Sequence, residues 1–190
     1  MIFRPGLLDD RRVAMAGDGE TARVARERLE ALGARAEALG GDVLAHEDGA
    51  AGWARERAPV HALLVDAAST FAGGGPDALR TALEHTWRAA RALAVGAMIE
   101  SETPGRLLFA APAPDAGPHA PAARAALENL ARTLSVEWAR FGITVAALTP
   151  GSTTAAPELA ELICFLVSPA GAYFSGCRFD LGAVVTAPSS

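Results

Sequence analysis

The sequence predicts an α/β domain: a single doubly wound, Rossmann-like parallel sheet of about six to seven strands with helices on both faces. Two patterns carry this. Short continuous apolar runs recur, as in "RRVAMAG", "VHALLVDAAS", "GRLLFAAPAP" and "GITVAALTPG". Strands buried on both faces read this way. Between the runs lie segments with apolar residues at helical spacing, which is the pattern of βαβ units. The 190 residues, half of them apolar, suit one domain with its own core, and no internal repeat or linker divides residues 1–190.

Taken in order, "RRVAMAG" (11–17) is a buried strand ending in Gly. Ala22, Ala25, Leu29 and Leu32 mark the helix that follows, and Gly33 stops it. "ARAEAL" (34–39) is a weak second strand closed by Gly40-Gly41, and a short helix is expected at about 48–57. "VHALLVDAAS" (60–69) is a strong strand. Pro76 then opens a helix over about 77–100. "GRLLFAAPAP" is a strand broken by Pro112 and Pro114, followed by a long helix over about 120–141. "GITVAALTPG" contains the next strand, a helix follows at about 157–168, and "GCRFDLG" is the last strand.

Composition excludes several chemistries. The net charge is −5 and no basic stripe relieves it, which argues against a nucleic-acid partner. No apolar run is long enough to span a bilayer. Pro5, Asp9 and Asp10 interrupt any signal-like apolar stretch at the N-terminus, so a cytoplasmic location is expected. All 17 basic residues are Arg: the chain has no Lys, no Gln, one Tyr (Tyr173) and one Asn (Asn129). Cys164 and Cys177 read as two buried reduced thiols. His46, His61, His85 and His119 are scattered, without metal-ligand spacing, so no metal is expected. No G-x-S-x-G elbow occurs.

The first strand-to-helix turn, "AGDGETA", places Gly17, Gly19 and Ala22 as G-x-G-x-x-A. In that context the glycines permit a tight turn and close approach of a pyrophosphate to free helix N–H groups. Asp42, about twenty residues on, could accept from a ribose hydroxyl. Asp18 and Glu20 act against an anion, each by ~1–3 kcal/mol at about 5 Å. The same residues also suit a turn with no ligand, because acidic groups favour a helix N-terminus.

From residue 60 onward the chain resembles the short-chain dehydrogenase/reductase family. "AARAALENLARTLSVEWARFGITVAALTPG" is close to that family's active-site helix, following strand and Pro-Gly turn. "GRLLFAAP" resembles its fifth strand, "HALLVDAAS" its fourth, and "PAGAYFSGCRFDLG" its C-terminal segment. The N-terminal "RRVAMAGDGETARVARERLEALGAR" fits its first βα unit. The resemblance implies hydride transfer with a nicotinamide cofactor, a Tyr moving the proton, a Lys lowering its pKa, and a Ser and an Asn completing the site. Here the Tyr position falls on Ala120 and the Lys position on Arg124. The Ser position falls at Ala111, and the Asn of the preceding helix falls on Thr86. The Asn-Ala-Gly strand end reads Asp66-Ala67-Ala68-Ser69. Arg124 stays protonated and does not replace a lysine. His119 is the one nearby group that could replace the acid. The segment after Pro150-Gly151 runs almost directly into the next helix, where active relatives carry a lid.

The helices at 77–100 and 120–141 each show two apolar stripes, which implies burial on two sides. On the first, Ala78, Ala82, Ala89, Ala92, Gly96 and Ile99 form a stripe of mostly small residues; on the second, Ala122, Ala125, Ala126 and Val136 widen the surface. In the resembled family these helices pair across subunits. The expectation is therefore a non-catalytic subunit without a bound cofactor. It would assemble through these helices with a catalytically active relative, as part of a hydroxyacyl or alcohol dehydrogenase, or with itself. An NAD(P)-dependent oxidoreductase with unusual catalytic groups, using NAD, and a nucleotide-binding sensor without turnover are the alternatives.

Overall fold

The computed structural model describes residues 3–182. Six strands form one parallel sheet: β1 Arg12–Ala16, β2 Arg35–Leu39, β3 Ala62–Asp66, β4 Arg106–Ala110, β5 Thr144–Thr149 and β6 Cys177–Asp180. Their order is β2-β1-β3-β4-β5-β6. The chain runs outward from β1 to β2, crosses back to β3, and then proceeds outward on the other side. The direction reverses between β1 and β3, so a crevice opens beyond their C-terminal ends. Doubly wound sheets bind ligands at this position.

Side chains alternate across the strands with period two. Leu63, Val65, Leu107, Phe109 and Val145 face one layer of helices. That layer is α3 Glu47–Glu56, α5 Pro76–Leu93 and α6 Ala120–Glu137. Val13, Met15, Leu64, Leu108 and Leu148 face the other, α1 Glu20–Ala31 and α7 Ala156–Val167. Two single turns complete the set, α2 Gly41–Leu44 and α4 Ala67–Thr70. The strands β3 and β4 are buried along their whole length, which explains their unbroken apolar runs.

The structure departs from the expectations in three places. The strand expected over 60–69 ends at Asp66, and its tail folds into α4. The resemblance makes this the fourth strand, but it is the third. The chain between Leu39 and Ala62 is taken up by α2 and α3, with no further βα pair. The third departure follows from the second. α3 packs on α5 and on the π-helical turn Ala94–Ile99 that extends it. A Cβ at Gly96 would stand 3.3 Å from Ala54 Cβ. Of the small-residue stripe, Ala89, Ala92 and Gly96 are buried within the chain, Ala82 is buried with Phe71 and Ala120, and Ala78 and Ile99 are half-buried.

Candidate functional site

The crevice is built where the end of β3 approaches the turn after β1. Gly17 has φ +99°, a left-handed conformation that favours glycine. Gly19 is extended, and its lack of a side chain has a different cause. A Cβ there would lie 2.5 Å from Asp66 Oδ2. The Ala22 N–H, in the first turn of α1, donates to that same oxygen at 3.3 Å. The free N–H groups of a helix start, which would otherwise receive an anionic ligand, here meet an internal carboxylate.

Asp66 is 1% exposed, and its second oxygen, Oδ1, is buried without a hydrogen-bond partner. Burial pushes its pKa above the ordinary carboxylate value. The backbone N–H groups of Ala22, Ser69 and Ala68 pull the other way, and the charge of Asp18 adds to the rise. The Ser69 hydroxyl donates to the Asp66 carbonyl at 2.8 Å and fixes the bend into α4.

A cleft of about 240 Å³ lies at this point, lined by Gly17, Asp18, Leu39, Gly40, Asp66 and His85 among others. Among the described residues its lining contains two carboxylates and no arginine. Burial lowers the pKa of His85, and Arg88 lowers it further. Asp42 does not line the cleft. β2 ends at Leu39, and Asp42 stands exposed in the first turn of α2. Gly40 and Gly41 occupy the wall where a ribose-binding acid was expected. Asp18 and Glu20 are both exposed at the turn.

The positions matched to the family's catalytic residues lie along α5, β4 and α6. Ala120 is fully buried and packs with Phe71, Ala82 and Ala123 in a closed apolar cluster. Thr86 is buried, and its hydroxyl donates to the Ala82 carbonyl at 2.7 Å. Ala111 is buried at the exit of β4. Arg124 donates from Nη1 to the carbonyls of Pro112 at 2.8 Å and Pro150 at 2.7 Å. It ties the ends of β4 and β5 together, so its guanidinium is engaged with the backbone. His119 sits half-buried at the start of α6. The turn after β5 is closed: Gly151 N–H donates to Thr154 Oγ1 at 2.8 Å, and a Cβ on Gly151 would lie 2.8 Å from Gly182 Cα.

Sequence reasoning read Asp66 only as a departure from the Asn-Ala-Gly strand end, and read His85 only as a scattered histidine. The available signal for Asp66 was an acid ending an otherwise apolar buried strand at a switch point. Its contact with Gly19, 47 positions away in the chain, has no local signature. Among the described residues no group of three or more His, Cys, Asp or Glu is placed to hold a metal. No helix among them is long and apolar enough to cross a membrane.

The chain has the fold of the short-chain dehydrogenases. It is similar to a citronellol catabolism dehydrogenase, AtuB, of Pseudomonas aeruginosa, at 25% identity and a TM-score of 0.77 over 96% of this chain and 98% of that one. A short chain dehydrogenase from Mycobacterium smegmatis aligns at 19% identity and TM-score 0.75, covering 97% of each chain. BdcA, solved in complex with NADPH, aligns at 16% identity and TM-score 0.74 over 93% of this chain and 94% of that one. No protein-family model and no curated protein matches the sequence.

The residues at the turn do not fit a pyrophosphate. The space beside Gly19 is taken by the Asp66 carboxylate, which also uses a helix N–H. Asp18 adds a second negative charge to the lining, and no cation offsets them there. The electrostatic design is the reverse of a phosphate cradle.

Proposed function

We propose that this chain is a degenerate member of the short-chain dehydrogenase/reductase family and acts as a non-catalytic subunit. The observation that carries the reading is the closed apolar cluster around Ala120. A proton donor is needed where this alanine lies, and packing with Phe71, Ala82 and Ala123 leaves no space for one. Asp66 supports the same reading, since it stands in for the phosphate at the start of α1. The chain binds neither NAD nor NADP in this reading, although its structural neighbour BdcA was solved with NADPH.

The partner is a catalytically complete relative, and the contact is made by α5 and α6. Leu83, Trp87, Ala126, Leu130 and Thr133 line a groove between these helices. Trp87 is 42% exposed and stacks at 6.5 Å on Trp138, which presents a rigid aromatic surface to a neighbour. Val136 is exposed farther along α6. The partner would supply the cofactor and the chemistry of an alcohol or hydroxyacyl dehydrogenase.

Native mass spectrometry of the assembly isolated from its host tests this. The expected result is a mixed assembly with one intact dehydrogenase, and a homo-oligomer or monomer would refute it. Calorimetric titration with NAD and NADP supplies the second arm. The expected result is no binding at millimolar cofactor; micromolar binding without turnover would favour a nucleotide sensor instead.

A further inference from the structure

The end of the sheet opposite the crevice carries an unbalanced cluster of positive charge. Arg35 and Arg12 pair in register at the starts of β2 and β1, His61 directly precedes β3, and Arg106 opens β4 opposite Ala62. Glu37 gathers Arg12, Arg35 and Arg57 at 3.3, 2.9 and 3.2 Å, and Glu56 adds a contact to Arg57 at 3.2 Å. Asp10 lies near His61. Arg11 and Asp9, on the turn before β1, lie at the same end.

Arg106 and Arg11 are the residues left over. Among the described residues neither forms an ion pair. Arg106 is 9% exposed, and its Nε is buried without a hydrogen-bond partner. Burial lowers its pKa and Arg11 lowers it further, with no carboxylate acting in the other direction. A buried guanidinium with an unmet donor beside a second guanidinium is unfavourable unless something negative joins them. His61 contributes another donor. Its Nδ1 accepts the Arg12 backbone N–H at 3.1 Å, which puts the proton of the neutral ring on Nε2.

We infer that Arg106 and Arg11, with His61 beside them, form a binding site for a small phosphate-type oxyanion at the N-terminal edge of the sheet. A tetrahedral oxyanion offers several acceptor oxygens, enough for the terminal N–H groups of Arg106, the Arg11 guanidinium and an imidazole N–H together. In a doubly wound sheet this end receives helix C-termini, so side chains rather than helix N–H groups must hold the anion. The site is separate from the crevice and independent of the function proposed for it.

The test is a titration of the full chain with inorganic phosphate, and in parallel with methyl phosphate, against chloride at matched ionic strength. The Arg106 Nε–H resonance should shift and saturate with phosphate. At tenfold above half-saturation the Tm should rise by about 3–6 °C. Equal effects of the two probes identify an esterified phosphate as acceptable; a response to inorganic phosphate alone identifies the free ion. Arg106→Met should raise the Tm without anion and abolish the phosphate-dependent rise. Arg11→Gln, at a more accessible position, should keep the fold and weaken phosphate binding about tenfold or more. A phosphate response that persists in both variants overturns the inference, as does the absence of a saturable response in the unmodified chain. If Arg106→Met does not fold, the Arg11→Gln titration decides alone.

Discussion

Replacing Asp66 by Asn tests how the crevice is wired. The carboxylate is buried, with one oxygen on the Ala22 N–H at 3.3 Å and the other without a partner. Burial raises its pKa, and the three backbone N–H groups do not offset that. Between its unfolded value of 3.8 and the raised folded value, the native state binds more protons than the unfolded state. Stability therefore falls as pH rises through that window and is flat above it. Asn keeps an acceptor for Ala22 and carries no charge to desolvate. At neutral pH, Asp66→Asn should stabilise the chain by about 1 kcal/mol, because it removes a buried charge while its Nδ2 stays a buried donor without an acceptor. The gain should shrink as the pH is lowered through the window. Urea denaturation of both proteins from pH 4 to 8 measures this directly. Parallel stability profiles, or a uniform loss in the variant, would show that the carboxylate is a net stabilising cap and that its burial has been misread.

Three further outcomes follow from the same geometry. Ala120→Tyr should lower stability by about 1–3 kcal/mol through overpacking of the Phe71 cluster, and thermal melts together with an assay for alcohol oxidation should show a lower Tm and no turnover. Arg124→Met should cost about 1.5–3 kcal/mol in chemical denaturation, because the Pro112 and Pro150 carbonyls lose charged donors at 2.8 and 2.7 Å. In Cys164, burial pushes the thiol pKa up to about 12, with the Glu161 charge adding to it. An aromatic disulfide reagent at pH 8 should therefore label Cys177 in the native chain and Cys164 only after denaturation.

Much of the fold was legible because its signals are local. Buried parallel strands read as apolar runs, and α5 and α6 carry stripes that must meet the sheet. The weak run "RAEAL" was legible as a strand, but what holds it there is pairing with β1, in register from Arg12 with Arg35 to Ala16 with Leu39. What could not be read was set by long-range placement. α3 packs against α5, and Ala89, Ala92 and Gly96, part of a stripe of small residues that looked available to a partner, are buried within the chain. The Arg106 side chain reads like any strand-start arginine until it is seen to form no ion pair among the described residues.

The candidate site illustrates the same division in its chemistry. The absence of Lys was evident from composition alone, since no folding can supply an absent residue, and the single Tyr, Tyr173, lies far along the chain from Ala120. How the vacated positions are used depends on tertiary contacts. Ala120 became part of an apolar plug, and Arg124 became a tie between two strand ends. Asp66 took the helix start that a phosphate would need. Each of these groups makes its contacts within the chain. In the proposed reading, such a site would hold the sheet and its α5–α6 face without a cofactor, as suits a subunit whose contribution is its surface.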